Sequence, residues 1–324
     1  MKNPFVSIIV PCRKIDSYTI GCIKGCLRLN YDNFELVILP DSFKKNELKE
    51  IKDKRLKVVA TGKVKPAIKR NLAMRKSGAE IYAFIDSDAY PEKEWLKNAV
   101  NYLKDESIGM IGGPNLTPKN ASFGEKVSGI ILSKWFCSGN AAIRYKIAGK
   151  QETLELPSCN FIVKRKYAGK FEPGLLTAED SRFCFGIWKT GKKIVYAPDV
   201  AVYHHRREIF RAHARQMWIY GRDIGLLLKK KGQFSYDKLY YSLLSLFVLG
   251  VFSGAIASFF SSMLRTIYFS ALSLYLFIVL MSSFDKEIKT FPYVFAGIIL
   301  THLAYGSGFL YGLFSKPKNA LNKR

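Results

Sequence analysis

Beyond Asp237 the chain almost stops carrying charge. Only 8 Lys or Arg and 3 Asp or Glu occur from Asp237 to the end, against 51 and 26 in all 324 residues. Three apolar stretches fill this region, at about 239–260, 266–283 and 291–314. Each is about long enough to cross the ~30 Å hydrocarbon core of a bilayer. A soluble helical bundle would need polar faces, and these stretches lack them. Arg265, Asp285 to Lys289 and the basic residues from Lys316 mark the breaks. His302 is the one ionisable side chain inside the third stretch and reads as a structural histidine.

Most of the +25 net charge therefore belongs to the part before Asp237. Such an excess calls for an anionic partner: nucleic acid, an acidic leaflet or a phosphorylated small molecule. Residues 205–232 read as a basic amphipathic helix with Phe210, Met217, Trp218 and Leu226 among the charges. It suits a bilayer interface with anionic lipid headgroups, and the plainer alternative is a surface helix packed on its own domain. The sequence thus divides into a soluble domain (1–204), basic interfacial helices (205–235) and a membrane domain (236–324) of about three spans. The basic segment before the first span puts the soluble domain on the cytoplasmic face of a multi-pass cell-membrane protein. Three spans would then carry the tail outside, although Lys316, Lys318, Lys323 and Arg324 favour the inside.

Cysteines at 12, 22, 26, 137, 159 and 184 form no C-x-x-C pair and no zinc-ligand spacing. They read as reduced thiols packed as small apolar groups. The N-terminus reads as a first strand rather than an export signal, so Asn115-Leu-Thr and Asn120-Ala-Ser are taken as chance matches to the glycosylation pattern.

Up to about residue 115, short apolar runs alternate with helical patterns. FVSIIVP, FELVILPDS, LKVVAT, EIYAFIDSD and IGMIGGPNL read as strands, and 16–29, 43–54, PAIKRNLAMRKSG and EKEWLKNAVNYLKD as helices. Further on, CNFIVKR and KIVYAPDVAVYHH read as strands and AEDSRFCFGIWKTG as a helix. The pattern predicts an α/β domain with a mostly parallel, Rossmann-like sheet covered by helices on both faces. Ligands of such sheets bind at the carboxyl ends of the strands. Pro11 to Arg13, Asp41 and Asp86 to Asp88 all fall there.

Asp86 and Asp88 raise a particular question in so basic a chain. Alternate residues after a buried strand point the same way, so both carboxylates can face one ligand. Mn2+ or Mg2+ takes oxygen ligands and keeps waters and substrate phosphates in its shell. Two carboxylates and a diphosphate complete such a shell, and the ion neutralises a departing phosphate.

VSIIVPCRK, FELVILPDS, KRNLAMRKSGAEIYAFIDSDAYPEKEWL, IGGPN and TAEDSRFCFGIWKTGKKIVYAPDVAVYHH, in this order across residues 5 to about 205, resemble the family 2 glycosyltransferases, which have the GT-A fold. RQMWIYGRD with the apolar C-terminus resembles the membrane-bound branch that builds surface polysaccharides and lipid-linked glycans. The resemblance implies a nucleotide-binding set of Pro11, Cys12, Arg13, Asp41, Arg70 and Asp86. Asp88 would bind the metal with Asp86, and His204 or His205 would add a third ligand. Asp180 or its neighbour Glu179 would be the general base of an inverting displacement, with UDP- or GDP-linked sugar as donor and a lipid-linked saccharide as acceptor. Arg215, Gln216 and Trp218 would lie on the acceptor or membrane side.

Some positions depart from the family pattern. Arg13-Lys14 stand where an Asn and acids are usual, and the second strand ends in the single acid Asp41. The Gln-x-x-Arg-Trp motif of processive synthases is only echoed at Gln216, which favours adding one sugar per event. The His-Pro-Pro signature of polyprenyl-phosphate sugar synthases is absent, leaving that activity as the alternative within the class. Two rivals lie outside it. A nucleotidyltransferase would usually carry a Gly-rich phosphate loop, and PCRKIDSY has no Gly. A membrane-anchored nucleic-acid binder would need a recognisable module, and none is present.

Overall fold

The computed structural model describes residues 3–173, 179–228 and 242–315. They fall into two compact units, the first within 3–119 and 143–205, the second within 120–142 and 206–315.

The first unit is built on an eight-stranded sheet. Its apolar centre is β1 (Val6–Pro11), β2 (Phe34–Leu39) and β4 (Ile81–Ile85), in which every residue is buried. Continuous apolar runs of this kind fit strands covered on both faces. β3 is Leu56–Val58, β6 Ile108–Gly112, β8 Gln151–Glu152, β9 Asn160–Lys164 and β10 Lys193–Tyr196. The strand order is β3-β2-β1-β4-β9-β6-β10-β8. β1 to β4 pair in parallel, as do β6 and β10. β9 runs antiparallel between β4 and β6, with Ile85 opposite Asn160, within a sheet that is mostly parallel as expected.

Side chains alternate between two cores. Ile8 and Val10 pack with Cys22, Ile23 and Cys26 of α1 (Ser17–Leu27) and with Trp95, Leu96 and Ala99 of α3 (Trp95–Tyr102). Ile9 and Phe84 pack on the other face with Ala67 and Ala73 of α2 (Pro66–Lys76) and with Phe183 and Ile187 of α6 (Glu179–Trp188). Asp16 caps α1 by accepting from the Thr19 amide at 3.1 Å, and Pro66 opens α2.

Three local expectations change. Residues 43–54 hold only a short 3₁₀ turn, Lys45–Leu48, because Phe43, Leu48 and Ile51 are the apolar side chains that reach the core and are too few to hold a longer helix. The run IGMIGGPNL splits after β6. Gly113 passes so close to the carbonyls of Ala197 and Val200 that a Cβ would not fit, and Pro114 follows. The chain then leaves the large sheet for β7 (Asn115–Leu116), in a second sheet of order β5-β11-β7 with β5 at Ala89–Pro91 and β11 at Val202–His204. The helix expected from 205 begins only at Arg211, after Phe210 at φ 72°.

The second unit is helical. α4 (Phe123–Ser133), which sequence patterning did not single out, starts in a capping box of Ser122 and Glu125. α5 is Trp135–Ser138 and α7 Arg211–Leu228. His213 of α7 is buried between Ser128 Oγ at 3.0 Å and Thr301 Oγ1 at 2.8 Å. The three apolar stretches become α8 (Leu243–Ala257), α9 (Ser262–Ser282) and α10 (Phe291–Phe314). Among the described residues, two helical segments, Ser262–Ser282 and Ile288–Phe314, are long and apolar enough to cross a membrane; α8 has 15 described residues. The start of the first stretch, the last residues of the basic segment and the tail from Lys316 lie outside the described residues. The six cysteines are free thiols, five of them buried.

Gly113→Ala should lower stability by about 1–3 kcal/mol, since the added methyl meets two carbonyls that the sheet holds in place. Urea denaturation of the full chain should show this as a lower midpoint with an unchanged slope.

Candidate active site

The site forms at the carboxyl ends of β1, β2 and β4. Directly after β4, the Ala89 amide donates to the Asp86 carbonyl at 3.0 Å, turning the chain into β5. β11 pairs antiparallel with β5 and sets His204 opposite Ala89. One ligand atom each of Asp86, Asp88 and His204 then lies within 4.8 Å of the others, all three half-buried. His204 Nε2 is 3.1 Å from Asp88 Oδ1. Burial works against charge on that imidazole, but the carboxylate beside it prevails and raises the His204 pKa to about 10. His205 donates its amide to the Asp88 carbonyl at 3.0 Å, and its ring packs on Tyr18, outside the cluster.

Two carboxylates and one imidazole are a donor set that suits Mn2+ or a related divalent ion, and the three groups are close enough to share one. An incoming cation must displace the proton from His204.

Two adjacent cations on α2 hold the rest together. Lys69 is almost fully buried. Its ammonium donates to the Cys12 carbonyl at 2.6 Å and the Leu39 carbonyl at 3.0 Å, and pairs with Asp41. It thereby ties the ends of β1 and β2 to one acid. The Asp41 amide in turn donates to the Arg13 carbonyl at 3.0 Å, while the Arg13 side chain is exposed. Pro11 ends β1, and burial pushes the Cys12 thiol up to about 12, which leaves it a packing group and a backbone acceptor.

Arg70, also buried, donates to Asp86 Oδ1 at 2.9 Å and to Glu179 at the start of α6. Asp86 thus spends one oxygen on Arg70, and its other makes no hydrogen bond to the described residues. Burial pushes Glu179 upward against the pull of Arg70. Asp180 is likewise pushed upward by burial, opposed by Arg70 and by the Ser158 amide. That amide donates to Asp180 Oδ2 at 2.9 Å, whereas Asp180 Oδ1 is buried with no partner among the described residues. A buried carboxylate oxygen without a partner is costly and needs an explanation.

Sequence reasoning did not find Lys69 or the segment Ser158–Asn160. Asn160 is fully buried; its Oδ1 accepts from Trp95 Nε1 at 2.8 Å and its Nδ2 donates to the Pro114 and Val200 carbonyls. The one signal for Lys69 was its place beside Arg70 on a helix otherwise directed at the core. Arg215, Gln216 and Trp218 all lie on α7 in the second unit: Arg215 is exposed, Gln216 bonds Tyr220 Oη at 3.0 Å, and Trp218 packs on Tyr311.

Lys69→Met should destabilise the chain by about 3–5 kcal/mol, because it strands Asp41 beside two carbonyls that lose their donor. Asp88→Asn should weaken Mn2+ binding at least about tenfold, as measured by calorimetry on the folded variant. Tyr18→Ala, which removes the ring packed on His205, should leave that affinity unchanged.

The profile of glycosyl transferase family 2 matches residues 7–170. An uncharacterized glycosyltransferase of Haemophilus influenzae is 29% identical over 119 residues, 35% of this chain and 48% of that protein. The chain thus spans about half the length of that relative. Glycosyltransferase AglE of Haloferax volcanii is 21% identical over 63% of this chain and 68% of its own. Among solved structures, the mannosyltransferase PcManGT from Pyrobaculum calidifontis, in complex with GDP-Man and Mn2+, superposes with a TM-score of 0.63 over 97% of this chain and 88% of its own, at 16% identity. That likeness establishes a shared GT-A-type fold. With half of its length matched by the profile, the chain belongs to glycosyltransferase family 2.

Proposed function

We propose that the chain moves one glycosyl unit from a nucleoside diphosphate sugar, UDP- or GDP-linked, to a hydroxyl of a membrane-associated, lipid-linked saccharide, with inversion at the anomeric carbon. The observation that carries this reading is the buried Oδ1 of Asp180, which has no partner among the described residues, beside Glu179, whose partner Arg70 also holds Asp86. Such an oxygen suits a general base.

In this reading Pro11 to Arg13 and Asp41 receive the nucleotide at the ends of β1 and β2, with Lys69 fixing the pocket edge. Arg70 holds Asp86 in place and adds positive charge near the diphosphate. A divalent cation held by Asp88, Asp86 and His204, its shell completed by waters and phosphate oxygens, would supply charge neutralisation for the leaving group. Asp180 Oδ1 takes the proton of the acceptor hydroxyl as that oxygen attacks the anomeric carbon. The bond from that carbon to the diphosphate breaks with its electron pair going to the diphosphate. Ser158 keeps the base oriented through Oδ2. Glu179 is engaged by Arg70, which favours Asp180 of the two acids as the base. A polyprenyl-phosphate acceptor would already be ionised near neutral pH and would need no base. The poised Asp180 therefore favours a hydroxyl acceptor. The exposed Arg211 and Arg215 of α7 suit anionic headgroups, and the cytoplasmic face of the cell membrane suits a soluble nucleotide-sugar donor.

Asp180→Asn should bind donor nucleotide with the affinity of the parent chain while its turnover falls about 10²–10⁴-fold, the range expected for loss of a general base. Calorimetry with UDP and GDP, paired with a transfer assay using a panel of activated sugars, measures both. Normal turnover by the variant rejects the base assignment. Removing divalent ions with chelator should weaken nucleoside diphosphate binding, and Mn2+ should restore it.

A further inference from the structure

α8, α9 and α10 are all apolar, yet the second unit uses them differently. α10 is far more buried within the unit than α9. Val294, Ile298, Thr301, His302, Tyr305, Phe309 and its glycines are buried. It packs on α7 with no room for a Cβ: Gly221 and Gly225 of α7 meet the backbone at Tyr305 and Phe309, and Gly308 and Gly312 of α10 meet the Trp218 and Arg222 carbonyls. The two series of residue numbers rise together, so the helices run parallel and at the same level. α7 carries Arg211, Arg215, Arg222 and Asp223. Were α10 to cross a bilayer, Arg211 and Arg215, level with its middle, would accompany it into the hydrocarbon core, where each costs several kcal/mol, whereas Arg222, level with Gly312 and paired with Asp223, would lie near the headgroups. Many of its apolar residues are accounted for by packing within the unit, while Tyr293, Tyr311 and Phe314 stay exposed and suit an interfacial face.

The hairpin α8–α9 has the opposite character. Its buried hydrophobic residues, Val248 and Val279, lie at the root. There Phe247 packs on Tyr275 and His302, and Leu244 lies against Gly306 of α10. Beyond the root the two helices touch chiefly each other, Tyr268 against Gly254 and the Arg265 Nε donating to the Ser258 carbonyl at 3.2 Å. The tip is bare: Phe259 is 80% and Phe260 82% exposed. Arg265 is the one charged residue between 243 and 282. α9 has 21 residues, a rise of about 31 Å, which matches the hydrocarbon thickness. A groove between the helices, lined by Val251, Gly254, Leu264, Tyr268 and Leu272, is apolar throughout and suits a lipid chain.

We propose that α8 and α9 cross the bilayer as a single hairpin, and that α7 and α10 lie together at the membrane surface on the side where the hairpin enters. The occupant of the bare α8–α9 surface is lipid. Full crossing puts Arg265, one turn into α9, at the far headgroups, where a guanidinium is tolerated; a hairpin stopping halfway would leave it in hydrocarbon. Two crossings return the chain to its starting side. Residues up to His205, which lead directly into the 206–228 segment, and the basic residues from Lys316 then share one face. This removes the conflict that three spans create with the positive charge of the tail. The inference does not depend on the transfer reaction.

Single cysteines test it in the full chain, in membranes of expressing cells, with a membrane-impermeant maleimide added before or after lysis. The background carries Cys137→Ser, the other five cysteines being buried. Lys104→Cys in the first unit and Lys323→Cys in the tail should react only from one and the same side, and Phe259→Cys only from the other. Phe260→Cys repeats the tip measurement should Phe259→Cys fail to accumulate. Reaction of Lys104→Cys and Lys323→Cys from opposite sides means that α10 crosses and overturns the proposal. Reaction of both tip cysteines from the Lys104 side means that the hairpin does not cross, because it lies flat or is covered by a second copy, and overturns it equally.

Discussion

The first unit depends on two neighbouring cations, Lys69 and Arg70, buried at the ligand-binding edge of a sheet. Isolated buried charges are prohibitively costly, and each is compensated by groups arriving from separate elements. Lys69 gathers the end of β1, the end of β2 and Asp41. Arg70 gathers Asp86 after β4 and Glu179 at the start of α6. The pair thus converts a row of strand ends into one electrostatic assembly. It is also why a basic chain can keep acids close together: Asp86 has a guanidinium on one side, and Asp88 has an imidazole on the other.

This arrangement leaves the acids unequal, and the proposed reaction rests on that inequality. Glu179 and Asp41 are engaged by side-chain cations. Asp86 is held on one oxygen, and Asp180 is held on one oxygen by a backbone amide while the other has no partner among the described residues. Groups that are positioned yet incompletely satisfied are the expected signature of a site waiting for substrate. Asn160 beside them is satisfied in full, its amide using both its donors and its acceptor.

Much of the first unit was legible because its strands are long apolar runs closed by Pro or Asp, a local signal that does not depend on tertiary context. β1, β2 and β4, with Asp41, Asp86 and Asp88 after them, fall where patterning puts them. Pairing direction was not legible: NFIVK reads as a strand in either orientation, and its antiparallel place between β4 and β6 depends on the chain that leads into it. Residues 43–54 misled because charged helix formers outnumber the apolar anchors. α4 could have been found from Ser122 and Glu125, a capping box three residues apart. Lys69 was missed because a lysine in a helix ordinarily reads as solvated. In the second unit, hydropathy marks both α9 and α10 as candidate spans, and it does not reveal that α10 is far more buried within the unit than α9. The glycines of α7 and α10 carry that distinction, and their meaning emerges only when the partner backbone is seen.

The most direct test of the central claim is anomalous diffraction at the manganese edge from crystals grown with Mn2+ and UDP or GDP. The account predicts one strong peak within coordination distance of Asp88 and His204, with the diphosphate beside it and the nucleoside reaching toward Asp41. A diphosphate bound elsewhere, or manganese absent from that cluster while the nucleotide is present, would contradict it.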